Sequence, residues 1–239
     1  MKNVLQALIL ATTIWGLPLH AAVLTFQEGV NGYTGNDATY IYATNFSTNH
    51  DGLDFMNTGG SGNASLVRFR DIFGAAVDQV DAGATINSAT LTLNTLPTFV
   101  ARSNEVNDVY AINTGWDAAS TTWISFAGAT SLAALQSKLS PAGSPYASFT
   151  PDVSGAAFNI DITTLVQAWS NGDFPNEGLA INNLNPGGDS AQFYTDNFAT
   201  INLRPLLTID YNEVAVPAPA PFLIMLAGLG LIGLRRRFV

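Results

Sequence analysis

The stretch Ser88-Ala89-Thr90-Leu91-Thr92-Leu93-Asn94 alternates apolar and polar residues without a break. An extended chain turns successive side chains to opposite faces, so Ala89, Leu91 and Leu93 fall on one buried face of a strand. Phe158, Ile160 and Ile162 alternate with Asn159 and Asp161 in the same way. The same period marks strands over Leu66 to Arg70, Val109 to Asn113, Thr122 to Phe126, Leu179 to Asn183, Ala191 to Thr195 and Leu206 to Tyr211. Turn-forming clusters such as Gly59-Gly60-Ser61-Gly62-Asn63 and Asn185-Pro186-Gly187-Gly188-Asp189 separate them. The pattern predicts an all-β chain folded as an antiparallel β-sandwich rather than βαβ units. It also predicts one or two short helices. Thr163 or Thr164 caps a segment carrying Leu165, Val166, Ala168 and Trp169 that Gly172 ends, and Ser131 caps Leu132 to Leu139.

The two ends are of a different kind. Met1-Lys2-Asn3 is followed by an apolar run from Val4 to Leu19 and by the small residues Ala21 and Ala22. Charged start, apolar middle and small-residue cleavage site make residues 1–22 a secretory signal peptide. Residues 23–212 then form the working domain. A proline-broken Pro/Ala spacer occupies 213–221, and 222–239 carry an apolar helix from Phe222 to Leu234 closed by Arg235, Arg236 and Arg237. The helix is short against the roughly 20 residues of a usual span, and the arginines extend it by snorkelling. They also stay cytoplasmic, which places the body of the chain outside the inner membrane. This tail resembles the PEP-CTERM sorting signal of Gram-negative bacteria, with Pro217-Ala218-Pro219 standing where the family has Pro-Glu-Pro. The resemblance implies an inner-membrane stage, cutting by an exosortase-type protease near Pro217 and Pro219, and release to the cell surface or medium.

Of the nine Lys and Arg, Lys2 and Arg235 to Arg237 leave with the ends, so five face eighteen Asp and Glu, a net charge of −13. Such a surface repels phosphate backbones and excludes nucleic acid as a partner, while it suits divalent cations and uncharged polysaccharide. Cysteine is absent, so disulfides, thiol chemistry and cysteine-bound zinc are all excluded. His50 is the one histidine that survives removal of the leader, and there is no Gly-x-Ser-x-Gly elbow. Triad and zinc-peptidase chemistry therefore fall away, leaving a pair of carboxylates as the remaining hydrolytic device.

From about Leu66 to Tyr211 the chain resembles the DNRLRE domain, a jelly-roll-like β-sandwich of secreted microbial proteins related to carbohydrate-binding modules. The matching stretches are Leu66 to Phe69, Gly83 to Leu93, Val109-Tyr110 leading to Trp116 and Thr121 to Trp123, Phe158 to Trp169, Gly178 to Ile181, Phe193-Tyr194 and Arg204 to Tyr211. Ala118 stands where family members often carry an acid. The resemblance places Trp116, Trp123 and Trp169 in the framework and implies a non-catalytic, carbohydrate-associated surface or matrix protein. A glycan-active hydrolase and a structural surface protein without ligand are the alternatives.

Two sets of residues carry the expected binding chemistry. Asp51 and Asp54 flank Gly52, and Asp37 joins them in space, as oxygen ligands for a structural calcium ion. Tyr33, Tyr40, Tyr42 and Tyr194 lie near Asn-, Asp- and Gly-rich loops, where an aromatic face stacks on a pyranose ring.

Overall fold

The computed structural model describes residues 20–60, 62–140, 144–183 and 188–214. The leader up to residue 19, and the sorting signal with Pro217, Pro219, Arg235, Arg236 and Arg237, lie outside the described residues. Residues His20–Glu213 form one compact unit.

In chain order the strands are β1 (Ala21–Gln27), β2 (Asn36–Tyr42), β3 (Phe55–Gly59), β4 (Asn63–Phe69), β5 (Thr85–Asn94) and β6 (Asn107–Ile112). Helices α1 (Trp123–Ala127) and α2 (Leu132–Gln136) follow, then β7 (Leu139–Ser140), β8 (Ala147–Phe149), β9 (Ala157–Asp161) and α3 (Thr163–Asn171). The chain closes with β10 (Leu179–Asn182), β11 (Ser190–Tyr194) and β12 (Leu206–Asn212). Every strand-to-strand pairing is antiparallel. One sheet has four strands in the order β1-β12-β5-β9; the other has eight, running β11-β3-β4-β10-β6-β7 with β2 beside β4 and β8 beside β6. The all-β sandwich expected from the alternation is the fold found. Among the described residues no helix is long and apolar enough to cross a membrane.

The alternation of β5 places Ala89, Leu91 and Leu93 wholly out of solvent, where they meet Leu207 and Ile209 of β12 and Ile160 of β9. The opposing sheet supplies Met56, Val67, Val109, Leu179 and Phe193 to the same core. Truncating one such leucine to alanine costs about 2–5 kcal/mol. The eight-stranded sheet is covered on its other face too. There Leu66, Tyr110, Ile112 and Ala180 pack with Trp116, Trp123, Phe126 and Leu135 from the 113–139 excursion. Two covered faces explain why Leu179-Ala180-Ile181 reads as an unbroken apolar run instead of alternating.

Three local expectations are corrected. Thr122 to Phe126 is not a strand: Thr122 and Ser125 form a reciprocal capping box that opens α1, and Gly128 closes it in the left-handed conformation. The segment capped by Ser131 ends at Gln136, and Leu139 begins β7. Neither Thr163 nor Thr164 is the N-cap of α3; Ile162 holds that position, and the Thr163 hydroxyl instead accepts from Ala89 N at 2.9 Å and donates to Asp161 at 2.6 Å. α3 nonetheless buries Leu165 and Trp169 and stops at Gly172. Ala21 and Ala22, the expected cleavage residues, lie in β1 opposite Asn212 and Tyr211.

Candidate ligand-binding site

Two connections meet beside the start of β2. The first joins β1 to β2, where Gly29, Asn31 and Gly32 have positive φ and Val30 and Tyr33 close successive turns by donating to Gln27 O and Val30 O. This tight path delivers Tyr33 with its ring edge against Phe26, centroids 5.4 Å apart, and its hydroxyl donating to Arg70 O at 2.9 Å. A side chain at Gly35 would bring a Cβ within 2.7 Å of the Tyr33 hydroxyl and 2.8 Å of Arg70 O, so only glycine fits beneath the ring. Burial, with the carboxylates of Glu28 and Asp71 adding to it, pushes the phenol well above its ordinary range and keeps it neutral.

The second connection leaves β4 through Arg70 and reverses at Asp71, a non-glycine residue at φ 56°. Ile72 and Val80 are buried anchors, and Val80 N donates to Ile72 O at 2.8 Å. Gln79 ties the loop internally, donating to Asp71 O at 2.8 Å and accepting from Ala76 N at 3.2 Å. Between the two connections lies an open cleft of about 540 Å³ lined by Tyr33, Gly35, Arg70, Asp71, Asp78 and Gln79, among others. Arg70 is half exposed there and is held from behind by Asp37 at 3.2 Å.

Behind this wall a charged clasp fixes Arg70 and its strand. Asp37 Oδ2 accepts two hydrogen bonds from Arg68, at 3.1 and 2.8 Å, and Arg68 reaches Glu177 at 3.3 Å. The Arg68 guanidinium also lies 4.8 Å over the Trp116 ring, whose N–H donates to Glu177 O at 2.8 Å. The clasp joins β2, β4 and the segment before β10 by charge and stacking together.

The expected calcium ligands fit this arrangement poorly. Asp37 commits both oxygens to guanidinium groups, while Asp51 and Asp54 stand exposed in the loop before β3, where Asn49 Oδ1 accepts from Asp51 N as in an ordinary Asx turn. Among the described residues no three His, Asp or Glu side chains are grouped to hold a metal ion. Of the four tyrosines, Tyr33 lines the cleft. Tyr40 is buried between stacked His50 at 4.1 Å and Phe55 at 6.3 Å, Tyr194 is buried against Phe198 at 4.0 Å, and Tyr42 is half buried against the core. Trp116, Trp123 and Trp169 are all buried, as framework residues should be.

A second place gathers titratable groups. Asp196 accepts from Ala38 N at 2.9 Å on the edge of β2. Burial raises its carboxyl from the ordinary 3.8 to about 7, against the lowering effect of two backbone N–H donors, and the nearby charges of Asp37 and Asp51 raise it further. His50, stacked on Tyr40, is held below its ordinary range by burial and so is neutral at physiological pH. Arg70 with Asp71, Asp78 and Gln79 did not stand out in the sequence, because their roles arise from the 71–80 loop; Asp196 could be read there only as a polar neighbour of Tyr194, since its raised carboxyl arises from burial at a strand edge.

No protein-family model and no curated protein matches this chain.

Proposed function

We propose that this chain is an exported, non-catalytic surface or extracellular-matrix protein. In this reading residues 23–212 are a DNRLRE-like, jelly-roll-like domain that holds polysaccharide, and the 213–221 spacer with the 222–239 helix and basic tail is a PEP-CTERM-type signal read by an exosortase-type protease. The observation that carries it is the Tyr33–Arg70 cleft. An aromatic ring, a half-exposed guanidinium and the carboxylates of Asp71 and Asp78 border one open depression. Planar bidentate groups beside an aromatic are suited to sugar hydroxyls and to the apolar face of the ring that bears them. The net charge of −13 directs that chemistry to uncharged glycans. The full chain should be captured on the exopolysaccharide of its own host, and Arg70→Ala should reduce capture at least fivefold. No capture of the native chain would leave a structural surface protein without ligand.

A glycan-active hydrolase is the second reading, and Asp196 is the observation that favours it. A carboxyl still protonated near pH 7 has the property of a general acid. Its neighbour Asp37 is the natural second carboxylate, yet it spends both oxygens on Arg68 and Arg70. Release of reducing sugar from the captured polysaccharide, abolished by Asp196→Asn, would establish the hydrolase in place of the binding module.

A further inference from the structure

The Tyr33–Arg70 cleft has a neighbour on each side. Tyr33 and Asp78 also border a depression of about 180 Å³ that runs along β1 past Leu24, Thr25 and Phe26. Arg70 and Asp71 also border one of about 300 Å³ that ends at Phe73 and Asn176. The central cleft therefore shares one pair of walls with each neighbour, and the three depressions stand in series. β1 is the edge strand of its sheet. All three are shallow and lined by mixed polar and apolar groups, and none is the deep enclosure that buries most of a small ligand.

We infer that these three depressions are consecutive subsites for the interior of one linear, uncharged polysaccharide chain, with Tyr33 and Arg70 as the partitions between adjacent sugars. The inference rests on the glycan-binding reading and deepens it. Shallow subsites each contribute little, and their contributions accumulate only when linked sugars occupy them together, since the second and third contacts are then intramolecular. A terminal sugar or free monosaccharide, by contrast, fills one depression and is lost quickly.

The test uses the full-length chain in mild detergent. Affinity electrophoresis in hydroxyethylcellulose, galactomannan, xyloglucan, dextran, pullulan and laminarin selects the polymer that retards it, and calorimetry then follows oligomers of that polymer from one to six sugars. Affinity should rise at least tenfold from disaccharide to hexasaccharide. Thr25→Arg, an exposed position in the β1 depression, should remove most of that rise while leaving the melting temperature unchanged. Arg70→Ala should weaken every length. A disaccharide that binds as tightly as the hexasaccharide, or a Thr25→Arg chain with native hexasaccharide affinity, overturns the subsite series and leaves single-site glycan binding standing. Retardation by none of the six polymers together with no capture on the host's exopolysaccharide, or native affinity in Arg70→Ala, overturns glycan binding at this cleft altogether.

Discussion

Replacing Asp196 with asparagine should stabilise the domain at neutral pH and leave it unchanged in acid. Asparagine keeps an oxygen to accept from Ala38 N but carries no charge beside Asp37 and Asp51. In the native chain the folded carboxyl titrates near 7 and the unfolded one near the ordinary 3.8, so between these values the folded state holds a proton that the unfolded state has released. Stability from this group is full below about pH 4, falls as pH rises through the window, and is level above about 7. The gap between 3.8 and about 7 corresponds to a ceiling of about 4 kcal/mol. That is a large share of the 5–15 kcal/mol that holds a typical domain together. At about 2–4 °C per kcal/mol for a chain of this size, the melting temperature of Asp196→Asn should exceed the native value by about 10 °C at pH 8. The two should coincide near pH 4. Asp161 works in the opposite direction, since hydrogen bonds from Thr163 hold its carboxyl below the ordinary range and its contribution is lost as pH falls; it is common to both proteins and cancels in the difference. A difference in melting temperature that stays constant from pH 4 to pH 8 would refute the assignment of a half-buried, protonated Asp196.

Arg68→Ala removes two hydrogen bonds from Asp37, the contact with Glu177 and the stack on Trp116, and should cost about 3–5 kcal/mol in chemical denaturation because largely buried carboxylates are left short of a partner. An effect below about 1 kcal/mol would show that the clasp is ornamental. With Asp37 committed to arginine, melting curves in excess chelator and in millimolar calcium should coincide within about 1 °C; a ligand that binds the folded state would separate them by mass action, and such a shift would restore the calcium reading of Asp37, Asp51 and Asp54. For the tail, Arg235, Arg236 and Arg237 to Ala should weaken membrane retention, since each arginine opposes translocation by about 2.5–3.5 kcal/mol at the bilayer centre. Replacing Pro217 and Pro219 should leave the chain anchored and uncut, and mass spectrometry finding Val239 on the extracellular protein would replace the sorting signal with a permanent anchor.

Legibility in the sequence followed the physics of each element. Strand β5 could be read outright because one face is buried and one is not, and burial there matches the alternation of Ala89, Leu91 and Leu93. The 122–126 segment was misread because Ile124 and Phe126 fit the strand period while Trp123 and Phe126, three apart, fit the helical one, and what decided it was local capping by Thr122 and Ser125 with Trp123 and Phe126 turned to one core. The two-faced covering of β4 and β10 was hidden, since an apolar run does not say what lies on each side. At the candidate site, Tyr33 was legible as an aromatic near a Gly-Asn turn. Arg70, Asp71 and Asp78 were not, because a left-handed Asp71 and a loop locked by its own Gln79 leave no spacing signature. Tyr40 and Tyr194 had the same composition around them as Tyr33, and only the stacking of His50 and Phe198 over their rings separates them from it.

The pairing of β1 with β12 also sets how the domain meets mechanical load. Ala21 lies opposite Asn212, and Glu213 N donates to His20 O at 3.0 Å, so both ends of the domain emerge at one corner. A force applied between them would open the β1–β12 ladder from that corner one hydrogen bond at a time, as a zipper opens, instead of shearing all of its bonds together. A domain tethered only through the residues after Glu213 never loads that ladder end to end. The same pull on a chain still held at its leader would peel β1 first and expose the core at Phe26, so retention at both ends and a stable sandwich are in mechanical competition.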